Sequence, residues 1–125
     1  MSLEEKITAA VNTYIDAFQT SDLAAIMSLY AEDCCVEDPV GSPVKQGRVA
    51  VEEFYKSALA MNVKLQLESE IRIAGNEAAF AFTGEVDTGD GIMTFRPIDV
   101  MVFNDEGKVT SMRAFFGPTN SGMKA

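Results

Sequence analysis

The sequence contains no histidine. That absence removes Ser-His and Cys-His nucleophile pairs and every metal site built on imidazole. A general base must then be Asp, Glu, Lys, Tyr or Cys, and 19 acidic residues make a carboxylate the leading choice. Cysteine is nearly as scarce. The two present, Cys34 and Cys35, are adjacent. Neighbours on an extended chain point to opposite faces, so an ordinary disulfide between them is excluded. Two free thiols fit a reducing compartment, and the expected location is the cytoplasm. Basic residues are few: 10 against 19 acidic, for a net charge of −9. Such a surface repels phosphate backbones and anionic lipid heads. Nucleic acid and membrane are therefore not expected as partners, and a neutral small molecule suits the chain better. No apolar run approaches the roughly 18 residues of a membrane span. The opening Met1-Ser2-Leu3-Glu4-Glu5-Lys6 lacks the basic start of a secretory leader.

What is present reads as one unit over residues 1–125, with 47% apolar residues and no repeat or linker. Leu3, Ile7, Ala10, Val11, Tyr14, Ile15 and Phe18 form a helical stripe over residues 3–19. Ser21 and Asp22 cap a second helix whose apolar face is Leu23, Ile26, Met27 and Tyr30. A short extended piece, Cys34 to Glu37, runs into the loop Asp38-Pro39-Val40-Gly41-Ser42-Pro43. A third helix starts near Arg48, with Val51, Phe54, Tyr55, Ala58 and Leu59 on its stripe, and ends near Asn62.

From Val63 the period becomes two, and one strand is expected through Ile73. Further strands follow through Phe80 and Phe82 toward Val86, from Ile92 to Phe103, and from Lys108 to Phe116. The expected fold is α+β. Three N-terminal helices pack on a curved, mostly antiparallel sheet, a meander forming a half-open cone. The apolar mouth of such a cone is a natural ligand site.

Three groups do not fit a plain core. Asp99 stands in Pro97-Ile98-Asp99-Val100-Met101-Val102-Phe103, where both strand faces are apolar. An unpaired carboxylate there raises its pKa and takes a proton. A purely structural explanation would pair it with Arg113 on the next strand. Asp38 precedes proline in a loop, a frequent turn arrangement. Proline nevertheless holds it extended, which sends Glu37 and Asp38 in opposite directions. Tyr14, Tyr30 and Tyr55 each fall on an apolar helical stripe. Simple packing would account for any one of them. Three beside a buried acid suggest a shared hydrogen-bond network. The seven methionines read as core filler. The calcium-like loop Asp87-Thr88-Gly89-Asp90-Gly91 lacks EF-hand spacing and its closing glutamate, and reads as a solvated hairpin.

Four stretches carry a family resemblance: Val36 to Ser42, Asn76 to Phe82, Pro97-Ile98-Asp99 and Ser111 to Ala114. Across almost its whole length the chain resembles the ketosteroid isomerases of the nuclear transport factor 2-like (cystatin-like) superfamily. The resemblance implies Asp38 as catalytic base, with Tyr14 and Asp99 as donors to the oxyanion of a dienolate. It implies that Tyr55 hydrogen-bonds Tyr14 and that Tyr30 extends the network. The implied apolar lining is Phe54, Phe82, Val86, Met101, Phe103, Met112 and Phe116. No metal and no cofactor are implied. The implied substrate is a neutral, hydrophobic 3-ketosteroid with a β,γ double bond, and the implied assembly is a homodimer packed through the sheet. Two positions depart from the family pattern. Gly84 stands where a larger apolar residue is expected and Val86 where an aromatic is, so a cavity widened at that point is expected. Other readings are an isomerase for a different unsaturated ketone and a non-catalytic module for a hydrophobic ligand. Epoxide hydrolases, dehydratases and polyketide cyclases also use this fold, many of them with His or Asp-Arg-Asp sets that this chain lacks.

Overall fold

A nine-stranded sheet wraps around one apolar core in the computed structural model, which describes residues 1–124. Helix α1 (Leu3–Thr20) begins at a capping box in which the Ser2 hydroxyl accepts from the Glu5 N–H and the Glu5 carboxylate accepts from the Ser2 N–H. It ends at Ser21, which turns left-handed at φ 53°. Its stripe from Ile7 to Phe18 is buried. Helix α2 (Leu23–Met27) is five residues long and is capped by the Asp22 carboxylate, which accepts from the Ala25 N–H. Helix α3 (Arg48–Ala60) buries Val51 and Tyr55. Asn62 turns the chain out of it at φ 55°.

The strands are β1 (Tyr30–Glu37), β2 (Lys45–Gln46), β3 (Lys64–Leu67), β4 (Arg72–Ala74), β5 (Glu77–Asp87), β6 (Ile92–Phe95), β7 (Ile98–Phe103), β8 (Val109–Phe115) and β9 (Ser121–Met123). Their order is β2-β1-β8-β7-β5-β6-β9, with β3 and β4 on the other edge of β5. Every pair is antiparallel except β1 with β8. The α+β expectation therefore holds, with a mixed sheet in place of a simple meander.

Three local expectations are corrected. Tyr30 does not belong to the second helix. That helix stops at Met27, and Tyr30 opens β1 opposite Val109. Only five residues separate the Asp22 cap from the end of the helix, so its stripe is too short to include Tyr30. The strand expected over 63–73 is two strands. Glu68, Ser69 and Glu70 interrupt it, and Glu68 turns outward to bind Arg96 at 3.0 Å. The strand expected over 92–103 is also two, broken at Arg96-Pro97. Proline has no N–H for the ladder, and the Arg96 N–H donates to Asn120 instead of to a sheet neighbour. β5 spans both halves, pairing with β7 and β4 near its start and with β6 and β3 near its end.

Candidate active site

Register on β5, β7 and β8 places Asp99. It lies between Phe80 and Ala114, on the face that also carries Met101 and Phe103. Arg113 is opposite Val100 and so falls on the other face. There it donates to Glu37 at 2.9 Å and covers the Phe115 ring at 5.1 Å. The structural pairing of Asp99 with Arg113 is thus ruled out by strand alternation. Asp99 is 1% exposed, and neither carboxyl oxygen has a hydrogen-bond partner. Burial first, and the nearby Asp38 charge second, push its pKa well above the carboxylate range. A buried acid with an unused proton is a hydrogen-bond donor waiting for an acceptor.

The loop after β1 brings in Asp38. Glu37 turns out to Arg113 and the Gly41 N–H, while Asp38 turns into the cavity. The Asp38-Pro39 peptide is cis. The Val40 N–H donates to the Ala114 carbonyl at 2.8 Å, tying this loop to the strand residue beside Asp99. Burial in apolar surroundings raises Asp38 from 3.8 to about 6. An aspartate titrating there is ionised at neutral pH yet basic enough to take a proton from carbon.

Tyr14 from α1, Tyr55 from α3 and Tyr30 from β1 meet beneath the cavity, each at most 3% exposed. Tyr55 Oη donates to Tyr14 Oη at 3.3 Å, and the Tyr30 and Tyr55 hydroxyls are 2.5 Å apart. A phenol has one proton to give. Tyr55 spends its proton on Tyr14, so Tyr30 donates to Tyr55. The chain Tyr30→Tyr55→Tyr14 leaves the Tyr14 proton free to point into the cavity. Burial raises all three phenols well above their usual range, and each therefore stays protonated.

The cavity is about 440 Å³ and predominantly apolar. Tyr14, Asp38, Phe54, Phe82, Val86 and Phe116 line it. Met101, Phe103 and Met112 do not. They are 1%, 1% and 0% exposed and belong to the core, where Met101 and Met112 face each other across β7 and β8. Sequence alternation put them on the correct face but could not say that this stretch of it is covered. Phe95 also lines the cavity, as do Phe18, Met61 and Met93, which were not anticipated. The expected widening at Gly84 is corrected as well. The Phe95 ring lies on Gly84, filling the space a side chain would take. A second hollow of about 500 Å³, lined by Gln19, Lys64, Glu85 and Lys124 among others, contains none of these catalytic candidates. Among the described residues no cluster of three or more Cys, Asp or Glu could hold a metal ion, and no helix is long and apolar enough to cross a membrane.

Fold and cavity together define a cone of the nuclear transport factor 2-like class with an apolar cavity that Tyr14 and Asp38 line. The family model for the SnoaL-like domain matches residues 11–112, and the chain belongs to that family. It is 43% identical over 116 residues to a protein named Steroid Delta-isomerase from Nocardioides simplex, covering 93% of this chain and 94% of that one. It also superposes at a TM-score of 0.90 on SalBIII, described as an epoxide hydrolase/cyclase-like enzyme in pyran ring formation in the polyether salinomycin. That likeness is 29% identical and covers 99% of this chain and 100% of the other.

Proposed function

We propose that this chain is a steroid Δ-isomerase that moves a β,γ double bond of a 3-ketosteroid into conjugation with the ketone. The observation carrying the reading is the orphaned Asp99 carboxyl, buried with both oxygens unpartnered beside a cavity that Tyr14 and Asp38 line. Asp38 removes the proton from the carbon between carbonyl and alkene. Negative charge moves to the carbonyl oxygen, giving a dienolate. Tyr14 and neutral Asp99 each donate a hydrogen bond to that oxygen in a dry pocket, where such bonds count for most. Asp38 then returns the same proton two carbons further along. Atoms balance with no cofactor. The free Tyr14 proton and the protonated state of Asp99 both match what an oxyanion requires. The acidic surface suits a neutral, hydrophobic substrate.

The likeness to an epoxide hydrolase/cyclase-like enzyme points to a different reaction on the same fold. The 43% likeness to an isomerase, against 29%, favours isomerisation. The test is an ultraviolet assay with a β,γ-unsaturated 3-ketosteroid, following the conjugated enone. Asp38→Asn is expected to lower kcat by about 10²–10⁴, the usual contribution of a positioned base. Tight steroid binding without conversion by the native chain would instead favour the non-catalytic module or a different ketone.

A further inference from the structure

Gly84 sits in mid-sheet, paired with Leu65 on one side and Phe95 on the other. Its φ is not positive, so the backbone does not require glycine there. Glycine inside a strand is unfavourable for entropy and packing and often marks a close approach by another group. That group is the Phe95 ring. A Cβ at position 84 would fall 2.2 Å from Phe95 Cζ and within 2.7 Å of both Cε atoms. The contacts are all with the tip of the ring, so any side chain at 84 would tilt the ring off the sheet. Phe116 packs against the same ring, with centroids 5.6 Å apart and planes 34° apart. Both rings line the cavity.

Strand register gives the position of this wall. Phe80, Phe82, Gly84 and Val86 share one face of β5. Phe80 pairs with Asp99 and Gly84 pairs with Phe95. Four residues at roughly 3.3 Å each put Phe95 about 13 Å along the strand from Asp99. A ligand whose carbonyl meets Tyr14 and Asp99 must extend about that far before it touches the wall.

We propose that Gly84 determines ligand length specificity by letting the tip of the Phe95 ring rest on the sheet, so that Phe95 and Phe116 form the far wall for an elongated, rigid, apolar ketone of four fused rings. The proposal rests on the isomerase reading for which end of the ligand meets Asp99. With any side chain at 84, the ring moves into the cavity and shortens it. A two-ring ligand that stays near Tyr14 would not reach the wall.

The test uses binding, so that it stays separate from turnover. In an Asp38→Asn background, calorimetry compares a four-ring conjugated steroid enone with a two-ring enone lacking the far rings. The parent should prefer the four-ring ligand. Gly84→Ala should lower the ratio of the two affinities at least tenfold. Adding Phe95→Val, a shorter side chain that still suits a strand, should clear the clash and raise the ratio above that of Gly84→Ala, short of the parent because the Phe95 part of the wall is gone. Circular dichroism and thermal unfolding check that each variant folds. An unchanged ratio in Gly84→Ala would overturn the proposal. So would a parent with no preference for four rings, or a double variant no better than the single one. Failure of the isomerase reading would show differently, as four-ring binding intact while the native chain converts no β,γ-unsaturated 3-ketosteroid.

Discussion

Asp38 carries two opposed demands. Burial makes it a useful base and, for the same reason, a burden on stability. Its carboxyl ionises near 6 when folded, against an ordinary 3.8. The folded state therefore holds the proton more tightly than the unfolded chain. The favourable contribution is fully present below 3.8 and is lost as pH rises through about 6. At one pKa unit per 1.36 kcal/mol, the loss amounts to about 3 kcal/mol. Asp38→Asn removes the titration. Thermal unfolding of the variant and its parent should differ markedly at pH 8, with the variant more stable, and converge near pH 3.5. An equal difference at both values would mean that the side-chain change, and not the charge, is responsible. Activity should follow the opposite course. Since the base must be ionised, kcat/KM should climb through about pH 6. Local sequence showed this residue only as Asp before Pro, and the expectation of a base came from the family resemblance. Its depth in the cavity depends on the Val40 bond to Ala114, a contact between residues far apart in the chain.

At the scale of elements, the sheet separates core from cavity along a single face. β7 alternates cleanly, with Asp99, Met101 and Phe103 inward. The inward residues nonetheless meet different surroundings. Phe95, just before β7, lines the cavity, whereas Pro97, Asp99, Met101 and Phe103 are buried. Met101 and Met112 are sealed against each other. Met112→Ala should therefore cost about 2–5 kcal/mol of stability, the usual range for emptying a buried methionine site. Denaturant unfolding should register that loss as a lower midpoint. A large rise in KM with stability intact would instead return Met112 to the cavity wall. The break at Arg96-Pro97 belongs to this scale too. Period-two patterning runs straight through it, because alternation reports faces and not ladder continuity. Proline was the one local warning of the interruption.

The whole molecule has an outer sheet face that is more apolar than its charge suggests. Ile98 is 46% exposed and Phe115 is 42% exposed, with Val100 and Val102 half-buried between the same strands. Covering that face with a second copy would bury these side chains. Sedimentation equilibrium is expected to give a dimer mass, and Phe115→Glu should shift it toward monomer by placing charge in the interface. A monomer in the native chain at tens of micromolar would remove the homodimer expectation. Net charge of −9 keeps the rest of the surface soluble and discourages anionic ligands.

Much of this was legible before any coordinates. Missing histidine left Asp, Glu, Lys, Tyr or Cys for a base and made a carboxylate the leading choice. An acid on an apolar strand marked Asp99, because burying it without a partner is too costly to be accidental. Helical and alternating periods placed α1, α3 and the strand faces, since each depends only on neighbours within a turn or a pleat. The tertiary structure decided the rest. Tyr30 became a strand residue through parallel pairing with β8, a contact 79 positions away in Val109. The direction of the tyrosine chain followed from three elements meeting at one point. Gly84 read as empty space and proved to be the seat of Phe95, because only cross-strand register brings that ring over it. Local periodicity is fixed by covalent spacing, whereas the shape of a cavity is fixed by which distant side chains fill the gaps that others leave.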